Sequence, residues 1–172
     1  GDLWVSYSVN KEDMWISRIP VPVEINASAH ADDDFSKNKS IAELTDWNIY
    51  SPVWAPVSLE DQWLKLQDKD PFDYAKVERK IPASKELKVS FDLKAGQNNK
   101  GTLHIEFLDE NGIACSRIEL TDDGIFRLKG GSRFANMMKY EAGKIYHVEA
   151  VLSTVDRNIQ VYVDGKRVGL RM

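Results

Sequence analysis

The 172-residue chain has the size of one large domain, or of one domain with an appendage, and can bury about two-thirds of its unfolded surface. Its formal net charge of -4 and pI near 5.4 argue against a nucleic-acid partner, because phosphate binding needs a basic face. Hydrophobic residues make up 42% of the chain, yet no run of about 18 apolar residues occurs, so no membrane span is expected.

Residues 2 to 23 contain two short apolar runs, Leu3 to Tyr7 and Met14 to Ile19, around the polar turn Asn10 to Asp13. This pattern predicts a β-hairpin, ended by Pro20 and Pro22, which cannot donate to a ladder. From Glu24 to Asp46 periodicity is lost and Asn, Ser, Ala and Asp dominate. The expected organisation is a hairpin over 1–23, a linker over 24–34 and a second domain over 35–172, with Phe35 opening its first strand. Asp32, Asp33 and Asp34 could help hold a Ca²⁺ ion, but they lack the Asp-x-Asp-x-Asp-Gly spacing of a calcium loop. They read as a solvated turn, and no cofactor is expected.

The most aromatic stretch follows, with Trp47, Tyr50, Trp54, Trp63, Phe72 and Tyr74 among the breakers Pro52, Pro56 and Pro71. Alternation over 62–67 places Leu64 and Leu66 on one face and Trp63, Lys65 and Gln67 on the other. If the leucines face the core, the indole faces outward. A ring beside polar side chains suits a sugar, whose C–H face stacks on the ring while polar neighbours take its hydroxyls. The alternative is that loops cover these rings as part of the core. Asp68 to Tyr74 is an acid-rich turn that either lines a site or solvates a sheet edge. The candidate carbohydrate-binding residues are Trp54, Trp63, Lys65, Gln67 and Tyr74, together with His104 and Glu106.

Strands are predicted over Ala75 to Ile81, Leu87 to Leu93, Gly101 to Leu108, Ile113 to Leu120 and Ile125 to Leu128, then a shorter one from Arg133 to Lys139. Asn111-Gly112 and Asp123-Gly124 mark tight hairpins, and Gln97 to Lys100 a looser one. Apolar residues at Tyr146, Val148, Ala150 and Leu152, then at Ile159, Val161 and Val163, define two long strands around Asp156-Arg157-Asn158. Asp164-Gly165 turns into a third strand over Arg167 to Leu170. The fold class is therefore all-β, an antiparallel two-sheet sandwich. Cys115, the single cysteine, can form no internal disulfide and is expected to be a small buried apolar residue. Asn26-Ala27-Ser28 and Asn38-Lys39-Ser40 match the glycosylation triplet, a pattern that chance often supplies.

Glycoside hydrolysis needs two carboxylates facing each other across the scissile bond. Glu106 and Asp109 are the nearest approach, and their odd separation aims them at opposite faces of a strand. His104 with Glu106, and His147 with Glu149, do share a face, as an acid–base couple, half a metal site, or polar residues on a wet sheet surface. No HExxH, Cys cluster, phosphate-cradling loop or GxSxG setting occurs, so catalysis within this chain is not expected and no catalytic or metal-binding residue is assigned.

Gly143-Lys144-x-Tyr146-His147-Val148 followed by Val161-Tyr162-Val163-Asp164-Gly165-Lys166 resembles the closing strands of concanavalin A-like and laminin G-like jelly-roll domains. That resemblance implies a jelly roll in which this segment is scaffold. Tyr7-Ser8-Val9-Asn10-Lys11-Glu12-Asp13-x-Trp15-Ile16-Ser17-Arg18-Ile19-Pro20 resembles the end of the last blade in bacterial sialidase-like propellers with BNR repeats. It implies the tail of a longer protein with an adjoining propeller, secreted or periplasmic in a bacterium. The opening Gly1-Asp2, with no basic and apolar leader, is what a processed or truncated product would show. Three readings of function stand: a noncatalytic, carbohydrate-associated C-terminal module of a glycan-degrading enzyme, a glycoside hydrolase in its own right, and a structural or adhesive sandwich.

Overall fold

The structure is a computed structural model that describes residues 2–9, 13–21 and 30–168. The chain divides into two compact units, Gly1–Pro82 and Ala83–Met172. All of its described secondary structure is antiparallel strand except a single 3-10 turn at Ile41–Glu43.

In the first unit, β1 (Asp2–Val9) and β2 (Asp13–Pro20) form the expected N-terminal hairpin, with Leu3 opposite Ile19 and Tyr7 opposite Trp15. Its turn residues 10–12, the terminator Pro22, most of the expected linker and the Asn26 triplet lie outside the described residues. Phe35 opens no strand: its φ is +56°, and the next strand begins at Trp47. The preceding residues have no cross-strand partner and are held by side chains instead. Asp34 accepts bonds from Ser36 N and Oγ. Asp33 accepts from Trp47 Nε1 at 3.2 Å and lies 3.4 Å from Arg79 Nη1, so this carboxylate is committed to a ring and a guanidinium.

β3 (Trp47–Tyr50), β4 (Val57–Glu60), β5 (Trp63–Leu66) and β6 (Lys76–Arg79) make two small sheets, β3 with β6 and β4 with β5. The turn joining β4 to β5 is Asp61-Gln62, both left-handed with φ of +49° and +66°. A two-residue hairpin loop demands that geometry, which Asn-Gly or Asp-Gly ordinarily supplies.

The second unit is the sandwich. β7 (Glu86–Lys94), β8 (Leu103–Leu108), β9 (Ala114–Leu120), β10 (Ile125–Gly130), β11 (Arg133–Lys139), β12 (Ile145–Ser153), β13 (Asn158–Val163) and β14 (Lys166–Val168) follow one another along the chain. One sheet runs β11-β10-β9-β8, an up-and-down meander, and the other β14-β13-β12-β7, in which β7 pairs with β12 only after the chain has built the first sheet, so the chain changes layer twice. The last strand is described to Val168, and Leu170 lies outside the described residues.

Strict alternation builds the core between these layers. Ile118, Phe126 and Leu128 from one sheet meet Tyr146, Val148 and Val161 from the other, all essentially without solvent contact. Burying each such side chain contributes roughly 1.5–3 kcal/mol. Phe126 stands edge-on to Tyr140 and to Tyr146 at centroid distances of 5.7 and 5.6 Å, a geometry favoured by the ring quadrupoles. The buried hydroxyls are satisfied, since Tyr140 Oη donates to Thr121 O and Tyr146 Oη accepts from Glu141 N. The same alternation corrects the expectation for Cys115. Ser116, Ile118 and Leu120 point inward, so Cys115 shares the outward parity of Arg117 and Glu119 and is exposed, its thiol donating to Phe107 O.

Candidate functional site

Five of the seven candidate side chains, Trp54, Trp63, Lys65, Gln67 and Tyr74, lie in the first unit, and His104 and Glu106 lie in the second. In the β4–β5 hairpin the predicted alternation is realised. Val57 opposes Leu66 and Leu59 opposes Leu64 on one face, while Ser58 opposes Lys65 and Glu60 opposes Trp63 on the other. Two further backbone bonds, Gln67 N to Pro56 O at 3.0 Å and Lys69 N to Trp54 O at 2.9 Å, continue this ladder past the strand ends. Ala55 and Val57 are buried on either side of the half-buried Pro56.

Trp54 lies in the turn that precedes this hairpin, closed by Ala55 N to Pro52 O at 3.1 Å, and Trp63 stands at the far end of the hairpin's polar face. Trp54 is 67% exposed, whereas Trp63 and Gln67 are half-buried. Lys65 Nζ lies 2.8 Å from Glu60 Oε2, and Ser58 Oγ donates to the same carboxylate. The Lys65 bond, first, and the Ser58 bond hold the Glu60 carboxyl below its ordinary range. The face is therefore ionised and ordered, with the Trp63 ring at one end.

Tyr74 belongs to a second exposed aromatic group. Its ring lies 5.6 Å from that of Tyr50, whose hydroxyl donates to both oxygens of Asp73 and is pushed up in pKa by that bond. Phe72, left off the candidate set, is 95% exposed beside them. The acid-rich turn is self-supporting: Asp68 accepts from Asp70 N, Asp70 from Phe72 N, and Asp73 from Tyr74 N. Its carboxylates shape the loop that presents the rings.

His104 and Glu106 share the outer face of the β8–β11 sheet, opposite Glu119 and Arg117 respectively. Here every carboxylate is taken. Arg117 bonds Glu106 through Nε at 2.7 Å and Glu119 through Nη1 at 3.2 Å, and Arg127 Nε reaches Glu119 at 2.7 Å. Burial pushes the Glu119 carboxyl up, but bonds from Arg127 and Arg117 outweigh it and hold the group below its usual range. Burial, and then the Arg117 charge, depress His104. Phe134 caps this surface, with Arg127 5.1 Å and Lys129 5.3 Å from its ring centre.

The outer face of the other sheet is more open. His147 and Glu149 of β12 stand opposite Asp92 and Ser90 of β7, and Glu149 also opposes Tyr162 of β13. His147, Glu149, Tyr162 and Gly165 line a shallow pocket of about 370 Å³. His147 Nδ1 lies 2.8 Å from Asp92 Oδ1, and Lys88 Nζ lies 2.8 Å from Glu149 Oε2. Sequence reasoning paired His147 with Glu149 but did not bring Asp92, Tyr162 or Gly165 to them. The outward parity of Tyr162, between the inward Val161 and Val163, was the available signal.

Among the described residues, no group of three or more His, Cys, Asp or Glu side chains is arranged to hold a metal, and no helix is long and apolar enough to cross a membrane. The fold and its surfaces define an antiparallel β-sandwich module that carries exposed rings and ordered polar groups on its sheet faces. A family described as "Sialidase-like, CBM domain" matches residues 47–172, and the chain belongs to this family of sialidase-like carbohydrate-binding modules. The chain is also similar to a solved structure called "Sialidase", with 90% identity over all of this chain, a TM-score of 0.88, and 16% of that longer chain covered. No curated protein matches.

Proposed function

We propose that this chain is a noncatalytic glycan-binding module of a larger bacterial, secreted or periplasmic, sialidase-like enzyme, and that it presents the outward face of the β4–β5 ladder to a glycan. The observation carrying this reading is the ladder itself: Trp63 across from Glu60 at one end, Ser58 across from Lys65 and bonded with it to Glu60, and the exposed Trp54 with Gln67 just past the other end. Rings stack on the apolar faces of sugars, and the polar row takes their hydroxyls. The β1–β2 hairpin is read as the last piece of a propeller blade in the parent chain. The closing strands, which resemble those of concanavalin A-like and laminin G-like domains, serve as scaffold.

Hydrolysis at the His104–Glu106 face is disfavoured on physical grounds. A glycosidase acid must hold its proton near neutral pH, through a raised pKa. Glu119 is lowered and locked between two arginines, and Glu106 shares one of them. A glycan array probed with the 172-residue chain tests the binding role, with Trp63→Ala and Trp54→Ala as controls. Binding that both controls lose is the expected result. Binding unaffected by either substitution, or absent from the native chain, overturns the reading.

A further inference from the structure

We infer that the pocket formed by His147, Glu149, Tyr162 and Gly165 is a second sugar site, which takes a sugar residue through its hydroxyls and one C–H face. The inference rests on reading the chain as a glycan-binding module and adds to it a separate surface. The chemistry follows from which atoms are already used. His147 Nδ1 is held 2.8 Å from Asp92 Oδ1, and Nε2 of the same ring has no partner among the described residues. Glu149 gives Oε2 to Lys88 and keeps Oε1.

The pocket therefore offers two unused polar atoms, from residues two apart on one strand face, to the hydroxyls of a sugar. Tyr162, directly across from Glu149, supplies a ring for the sugar's C–H face.

These groups are held in place before any ligand arrives. His147 N donates to Asp164 Oδ1 and Asp164 N to His147 O, which clamps the Asp164-Gly165 turn to β12. Tyr162 Oη donates to Gln160 Oε1 at 3.0 Å. Gly165 has φ of +74°, and a Cβ there would meet no atom within 4 Å, so the rim is open. Preorganised polar groups lower the ordering cost of binding. Arg167, directly across from Tyr162 on β14, adds a cation to the same face.

The test is a residue-resolved NMR titration of the 172-residue chain with methyl glycosides of mannose, galactose and glucose. The expected result is saturable shifts of the His147, Glu149, Tyr162 and Gly165 amides with at least one of them. Glu149→Gln should weaken that binding about tenfold, Tyr162→Ala should abolish it and Tyr162→Phe should keep it, each with an otherwise native spectrum. Silence at the pocket with all three glycosides overturns the inference. Shifts confined to Trp54 and Trp63 would sink the pocket while sparing the ladder; shifts confined to the pocket would do the reverse.

Discussion

The two outer faces of the sandwich carry the same three-residue pattern, His104-Ile105-Glu106 on β8 and His147-Val148-Glu149 on β12, and use it in opposite ways. In each, the central residue packs inward and the polar pair faces out. What differs is the strand next door. β9 sets Glu119 and Arg117 opposite the first pair, and Arg127 of β10 completes a closed network around a carboxylate that is 3% exposed. β7 and β13 set Asp92, Ser90 and Tyr162 beside the second pair and leave one polar atom on each member open. An identical local pattern is thus structural glue on one face and an open polar pocket on the other, and cross-strand register makes the choice.

The sharpest way to break this comparison is to remove one acid from each face. Glu119→Ala should cost about 3 kcal/mol, because it takes the buried partner from Arg127 and leaves Arg117 with Glu106 alone, whereas Glu149→Ala should change stability by less than ~0.5 kcal/mol. Urea unfolding of the two variants checks this, and equal costs would collapse the distinction. A smaller effect concerns the first unit. Trp63→Ala should lower glycan-array binding about tenfold at a stability cost near 1 kcal/mol, and Trp54→Ala should lower binding with a stability change under ~0.5 kcal/mol.

The smallest effect is on pH dependence. His104 is depressed in the folded state, so as pH falls below about 6.5 the unfolded chain takes up a proton that the folded chain resists, and stability declines. Glu119 is lowered, so its contribution is present above about 4.5 and is lost as pH falls further. Unfolding midpoints at pH 7.5 and 5.5 should therefore differ less in His104→Gln than in the native chain. An unchanged difference would show that the network does not hold His104 as described.

Much of this molecule was legible along the chain because β-structure writes itself in period two. The N-terminal hairpin, the placement of Leu64 and Leu66 against Trp63 and Lys65, and the meander from Tyr146 to Val163 all follow from alternation and from turns such as Asp164-Gly165. The Asp61-Gln62 turn escaped because its left-handed residues carry no glycine to announce them. Phe35 was misplaced as a strand residue because a strand needs a partner, and the neighbouring Asp33 turns instead to Trp47 and Arg79. Cys115 was misplaced because small apolar character outweighed its parity with Arg117.

The amino-acid order by itself determined the strands, their turns and the face each side chain takes, since those depend on neighbours one to four residues away. Only the tertiary structure decided that Trp54 joins the Trp63 ladder through Lys69, that Glu119 is closed between two arginines, and that Asp92 and Tyr162 stand beside His147 and Glu149. The physical reason is the same in each case. Strand pairing brings together residues from distant parts of the chain, and the free energy of a polar group is set by the partner it meets across the ladder.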